Sequence, residues 1–285
     1  MKKNKNEFTE EQIKSMIENG SPLTDDMIEI LESNRIREFI SKTIPVPIKE
    51  QAEKMNVDIE GQFLNLIFCK QDITTIRERL ISKVAGIAGN VMANRYFENK
   101  GYKVENEVPI LNAKDKMTTA SDIVLTSQDG EKTYIELKTI KAIISDTKDY
   151  PSQPVVDGEA IPREKYIDLK RTELPDIAVE TGEKVPEQLR KTREYLDRQG
   201  ENAKVKLCVF KGTTISPDIR EKVEQYDGII ELPIEIDKIF EYCNTLVDAF
   251  MYKGRYMLHP PKGEQEKDVS IPDINKYDEE YDEEH

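Results

Sequence analysis

The hydrophobic period of this chain changes at Gly101. From Asp72 to Lys100, apolar residues fall at Ile76, Leu80, Val84, Ile87 and Val91. Those spacings of three and four place them on one stripe of a long helix. Ala85, Gly86, Ala88, Gly89 and Ala93 keep one stretch of that helix small, so another element can pack closely there. Glycine at the switch suits the left-handed residue that closes a helix. Beyond it, Tyr102 to Ile110, Ala120 to Ser127 and Lys132 to Thr139 are rich in Val, Ile, Leu and Tyr and read as strands. Gln128-Asp129-Gly130 separates the last two as a hairpin turn. A long helix feeding a run of strands predicts an α/β domain with a mixed central sheet flanked by helices.

Further elements follow. Pro186 to Gln199 is helical, Lys204 to Phe210 a strand, Ser216 to Gln225 a helix, Gly228 to Leu232 a strand and Ile236 to Tyr252 a final helix. Before the long helix, the sequence suggests short helices. Thr9-Glu-Glu-Gln12 is a capping box, and Thr24-Asp25-Asp26 opens a second helix, after which Pro45 and Pro47 interrupt. Ser145 to Lys184 has little periodicity and holds Pro151, Pro154, Pro162 and Pro175, so its length marks it as a functional loop, lid or insertion. The expected organisation is an N-terminal helical region over 1–71, a main domain over 72–258 and an acidic, disordered tail over 259–285.

The 285 residues carry a formal charge of −14, which at first argues against a nucleic-acid partner. From Glu264 to His285, however, ten acids stand against two lysines, so −8 of that total belongs to the tail. Such a run is ordinarily a solvated end, and it can also compete with nucleic acid for a basic groove. Pro186 to Thr213 carries a local +3. With two histidines in the chain, His259 and His285, there is little material for a histidine zinc site or a Ser-His-Asp triad. A metal site has to be built from carboxylates, which suits Mg²⁺ or Mn²⁺. Cys69, Cys208 and Cys243 lie far apart, and the polar start of the chain has no apolar signal core, so reduced core thiols in a cytoplasmic protein are expected. The uncharged, largely apolar run Phe63 to Cys69 is too short to span a bilayer, so no membrane is expected.

The chemistry concentrates between Ser121 and Lys138. A three-residue loop at Gln128-Asp129-Gly130 pairs Ser127 with Glu131 and hence Asp122 with Glu136. Asp122, Glu136 and Lys138 then share a face, and Ile123, Leu125, Ile135 and Leu137 the other. Facing carboxylates repel unless a cation joins them. A divalent ion would do so, with Lys138 beside it to orient a water for attack on a phosphodiester. The bare pattern of an acid two residues before a lysine occurs at Glu98, Glu136, Asp146 and Asp168. Only the Glu136 copy ends an apolar strand that follows a strand with a same-face Asp. The bland alternative is an edge hairpin with a solvated charged face.

Asp122 followed by Glu136-Leu137-Lys138 resembles the PD-(D/E)xK nuclease superfamily, the restriction-endonuclease-like fold. Gly86-x-x-Gly89-Asn90-x-x-Ala93-x-x-Tyr96-Phe97-x-x-x-Gly101-Tyr102 is similar to the helix preceding the motif in resolvase-like members, and the order helix, strand, strand, strand, helix, strand matches over about residues 75–235. The resemblance implies Asp122 and Glu136 as metal ligands, the Leu137 carbonyl as a further ligand and Lys138 as the residue that positions water. Asn90 stands where many members carry Glu, which makes the site less anionic. Asn90 and Gln188 are accessory positions. The activity implied is Mg²⁺- or Mn²⁺-dependent hydrolysis of phosphodiesters, with DNA the expected partner.

Lys141, Arg190 and Lys191 are candidate phosphate contacts, as are Arg193 and Arg198. Equally, the latter helix can be an ordinary solvated one, its cations paired with Glu187, Glu194 and Asp197. Tyr150 and Tyr166 can stack on bases or pack. A nuclease fold that only binds, and an acidic nucleic-acid mimic acting through the tail, are the alternatives to an enzyme. The N-terminal helices leave a homodimer or a protein partner open.

Overall fold

The computed structural model describes residues 9–18, 25–69, 73–143, 155–156, 158–160, 184–259 and 268–277. The N-terminal helices are α1 (Glu10–Glu18), α2 (Asp25–Thr43), α3 (Val46–Lys54) and α4 (Ile59–Phe68). The capping box at α1 forms as expected: Thr9 N donates to Gln12 Oε1 at 2.8 Å and Gln12 N to Thr9 Oγ1 at 3.3 Å. α2 is longer than the expected short helices, at 19 residues. Pro45 caps α3 and Pro47 sits in its first turn, where a missing N–H costs nothing, so the prolines start a helix as well as ending one.

The long helix α5 (Ile73–Asn99) leads into β1 (Lys103–Leu111), β2 (Met117–Thr126) and β3 (Lys132–Lys138). Short strands β4 (Ala142–Ile143), β5 (Val155–Val156) and β6 (Glu159–Ala160) come next. The chain continues with α6 (Lys184–Gln199), β7 (Lys204–Lys211), β8 (Thr214–Ile215), α7 (Pro217–Glu224), β9 (Ile229–Glu235) and α8 (Ile236–Leu258). The central sheet is mixed, in the order β1-β2-β3-β7-β9. β1, β2 and β3 are antiparallel neighbours, whereas β3, β7 and β9 run parallel. Tyr150, Tyr166 and most of the proline-containing segment lie outside the described residues. No described helix is long and apolar enough to cross a membrane.

Alternation sorts the strands into two cores. Ile123, Leu125, Ile135, Leu137, Cys208, Phe210 and Leu232 pack with α2 to α5 and α8 on one face. Val124, Tyr134, Val205, Leu207 and Val209 pack with α6 and α7 on the other. Both faces of the sheet are therefore buried, as parallel strands require. The helices of residues 25–68 share the first core with α5, α8 and the sheet. A buried amide cluster adds to that seam: Asn94 Nδ2 donates to Gln51 Oε1 at 3.2 Å and to Asn106 Oδ1 at 2.8 Å.

The expected disordered tail is corrected in part. Residues 268–277 are described, and Ile274–Tyr277 forms a 3₁₀ turn. Ile274 is fully buried in the first core, Ile271 packs beside it, and Arg95 donates to Asn275 Oδ1 at 2.8 Å. Two isoleucines three apart make an apolar anchor that the surrounding acids conceal. Residues 278–285 lie outside the described set.

Candidate functional site

The hairpin register follows from the turn. Ser127 N donates to Glu131 O at 2.9 Å and Gly130 N to Ser127 O at 3.0 Å. Gly130 adopts φ +88°, a left-handed conformation open to glycine at little cost. From there Thr126 pairs with Lys132, Leu125 with Thr133, Val124 with Tyr134 and Ile123 with Ile135. One step further, this register sets Asp122 opposite Glu136.

At that step the ladder changes character. Leu137 N, next in line to donate to a backbone carbonyl of β2, donates to Asp122 Oδ2 at 2.7 Å. Asp122 is half-buried at the point where the ladder of β2 and β3 stops. Glu136 is 5% exposed and stands in register with Leu207, on the α6 side of the sheet. Lys138, two residues on and in register with Val209, reaches back so that its Nζ lies 2.9 Å from Glu136 Oε1. Burial raises the cost of an unpaired charge, and this ion pair offsets part of that cost. Ser121, also buried, donates to the carbonyls of Ile123 and Ile135 at 3.1 Å each and ties the two strands together beside the site.

The strand end is held from two directions. Gly89 of α5 packs against Thr139, the residue after Lys138, so closely that any side chain there would collide with it. Beyond Thr139 the chain is pinned by Thr213 Oγ1, which donates to Ile140 O at 2.9 Å, and by the parallel pair β4 and β8.

The other candidates are placed differently. Asn90 is buried in α5, which packs on the opposite sheet face, and donates to the Gly86 carbonyl at 3.1 Å. Gln188 is half-buried on α6, and its carbonyl accepts from Thr192 Oγ1. Lys141 turns to α8: it pairs with Asp237 at 2.8 Å and lies 5.3 Å from the centre of the Phe240 ring. Arg190 pairs with Glu194, and Lys191 with Glu187 at 2.8 Å, each one helical turn away. Arg193 holds Asp227 and the Ala203 carbonyl, and Arg198 donates to the Leu111 carbonyl. The cations of α6 thus serve its surface and its docking. Cys208 and Cys243 are buried, as core thiols should be, and Cys69 is half-buried. Burial, and secondarily the Asp122 charge, push the Cys208 thiol well above its usual range.

One residue escaped the sequence reading. Glu107 lies between Asn106, in register with Ile123, and Val108, in register with Ser121, and so stands opposite Asp122 on the other side from Glu136. It is half-buried, and its backbone is left-handed at φ +52°. Burial, then the neighbouring Glu136 charge, raise its carboxyl above the ordinary value. A lone Glu amid alternating residues carries no sequence signal for that placement.

The donors that the family resemblance implies, Asp122, Glu136 and the Leu137 carbonyl, are all hard oxygens. That chemistry fits Mg²⁺ or Mn²⁺ better than a soft metal. Among the described residues no three side chains of His, Cys, Asp and Glu gather into a metal-binding group. An ion here would keep much of its shell as water and substrate oxygen, in the manner of Mg²⁺. In comparison with known proteins, the chain matches no family model, no curated protein and no solved structure.

Proposed function

We propose that this protein is a divalent-cation-dependent nuclease of restriction-endonuclease-like fold, acting on DNA. The observation that carries the reading is the end of the β2–β3 ladder, where the Asp122 carboxylate takes the Leu137 N–H while Glu136 and Lys138 form a buried pair alongside. Two acids on adjacent strands, the backbone carbonyl of the residue after the second acid and an ammonium group one residue further on form a compact set for phosphodiester hydrolysis. Asp122 and Glu136 would hold Mg²⁺ or Mn²⁺, whose charge offsets that developing on the phosphate. Lys138 would orient the attacking water and stabilise the negative charge of the transition state.

Cleavage of plasmid, single-stranded DNA and RNA, assayed in parallel with Mg²⁺, Mn²⁺ or chelator, tests this. The expected result is cation-dependent cleavage of DNA, lost in Asp122→Asn, Glu136→Gln and Lys138→Ala while thermal melting shows each variant folded. Full activity in Lys138→Ala, or no cation-dependent cleavage of any substrate, would overturn it.

One observation favours a second reading. The 2.9 Å pair of Lys138 and Glu136 already neutralises the buried carboxylate, which is what a fold retained only for binding needs. Binding of DNA without cleavage, together with no Asp122-dependent uptake of Mn²⁺ in calorimetry, would select that binding module.

A further inference from the structure

We infer that the cleft between α4 and α5 is a DNA-backbone contact, a few nucleotides away from the point of cleavage. The inference rests on the reading under Proposed function and concerns a surface apart from the carboxylates. The cleft is open and about 720 Å³ in volume. Gln62 and Asn65 of α4 line it together with Arg79, Ser82 and Lys83 of α5, and Phe68 adds an aromatic ring. The chain has 56 acids against 42 lysines and arginines, yet no acid among the described residues lines this cleft. Glu78 is next to Arg79 in sequence, but its position lies about 100° round the helix, outside the lining.

The two cations of the cleft are uncommitted. Arg79 and Lys83 are exposed, one helical turn apart, and among the described residues neither has a counter-ion. Arg77 shows the contrast: two residues earlier on the same helix, it holds both carboxylate oxygens of Asp248 and the Asn244 carbonyl. Like charges one turn apart repel, so an anion shared by Arg79 and Lys83 is favoured. Gln62, Asn65 and Ser82 add N–H and O–H donors around them. Cations, amides and hydroxyls are the groups that contact phosphate oxygens in protein–DNA interfaces. The ring of Phe68 suits the apolar face of a deoxyribose.

Position favours DNA over an acidic peptide. α5 runs against the direction of β3. Asn94 is bonded to Asn106, which stands in register with Ile123 and through it with Ile135. Gly89, nearer the start of the helix, is level with Thr139, just past Lys138. Toward its N-terminus α5 therefore overhangs the end of the sheet that carries Lys138. At about 1.5 Å of rise per residue, Lys83 and Arg79 lie about 9 and 15 Å beyond Gly89 along the helix axis. Phosphates of one strand recur about every 3.4 Å along a duplex. Both cations thus fall within a few nucleotide steps of a phosphate placed beside Lys138.

Fluorescence anisotropy of short labelled DNA duplexes with the full chain tests this, in chelator so that no strand is cut and across a salt series. Each phosphate contact contributes about 0.9 to the steepness of log affinity against log salt. Arg79→Ala/Lys83→Ala should therefore flatten that slope by about 2 and weaken duplexes of unrelated sequence equally, with the melting midpoint unchanged. Arg79→Lys/Lys83→Arg keeps both charges and should retain the wild-type slope. Lys100→Ala removes a charge from the other end of α5 and should also retain it. A wild-type slope in Arg79→Ala/Lys83→Ala, or an equal loss in Lys100→Ala, would overturn the inference and leave the catalytic reading standing. Weaker binding of labelled poly-glutamate by the double Ala variant, with DNA binding intact, would assign the cleft to an acidic protein partner and overturn it as well. A wild-type chain that binds no duplex sinks the inference and the reading it rests on together.

Discussion

Two glycines three residues apart in α5 should respond oppositely to the same methyl group. A Cβ added at Gly86 meets nothing within 4 Å. A Cβ added at Gly89 would lie 2.0 Å from Thr139 Oγ1, 2.8 Å from its Cγ2 and 2.9 Å from its Cβ. Rotating Thr139 about χ1 moves the first two atoms but leaves the third in place, and a β-branched side chain has few rotamers to try. The helix or the end of β3 must therefore shift. Replacing Gly by Ala inside a helix gains about 1 kcal/mol. Overpacking a well-filled contact costs about 1–3 kcal/mol. Gly86→Ala should therefore stabilise by up to about 1 kcal/mol, and Gly89→Ala should come out between neutral and about 2 kcal/mol destabilised. Urea unfolding, read as a change of midpoint at constant slope, measures both. Thr139→Ala removes the two nearest atoms, so the double variant Gly89→Ala/Thr139→Ala should recover part of the loss. The same displacement reaches Lys138 through one peptide bond, so cleavage should fall in Gly89→Ala more than in Gly86→Ala. A Gly89→Ala protein as stable as Gly86→Ala, or one that Thr139→Ala does not rescue, would refute the close approach of α5 to the motif strand.

Asp122 has a structural duty that Asn can perform and Ala cannot. Asp122→Ala leaves the buried Leu137 N–H without its acceptor and should cost about 1–3 kcal/mol, whereas Asp122→Asn should be nearly neutral; equal midpoints in chemical denaturation would rule out the bridging role. Ile274 is fully buried in the first core, and Ile274→Ala should cost roughly 2 kcal/mol, near the lower end for a buried Ile→Ala change; a urea midpoint identical to wild type would return residues 268–277 to the solvated end that their charge suggests. Tyr134 should make stability fall at high pH: burial first, and then the charge of Glu201, raise its phenol to about 12. Between the ordinary value of 10.0 and that value, the unfolded chain gives up a proton that the native one keeps, so stability drops as pH rises. Tyr134→Phe should lack this drop, and unfolding curves of the two proteins that run parallel across the window would contradict it.

The hairpin and the helix boundaries were legible because local chemistry dictates them. Gly130 at a left-handed turn position sets the β2–β3 register, and Gly101 marks the end of α5. Other features depend on where neighbouring elements happen to lie. Lys141 follows the motif closely in sequence, but the pinning of Ile140 by Thr213 carries the chain past the site and toward Asp237. Arg190 and Lys191, by contrast, pair with Glu194 and Glu187 one turn away on their own helix, a pairing that the spacing of the sequence already offers. Residues 268–277 read as part of a solvated end because their charge conceals two isoleucines three residues apart.

Glu107 shows why a strand that changes faces resists sequence reading. Val104, Asn106, Val108 and Ile110 alternate without interruption, so period-two logic assigns them one face. One left-handed backbone sends Val104 to one core and Val108 and Ile110 to the other. Opposite that turn, the β2–β3 ladder gives way and an aspartate side chain replaces a carbonyl as acceptor. Both departures from ideal strand geometry cost stability, and they fall at the same level of the sheet, beside the same buried ion pair. Packing alone asks for neither departure: a continued ladder would pair the Leu137 N–H with a backbone carbonyl, and glycine at 107 would adopt the left-handed backbone without strain.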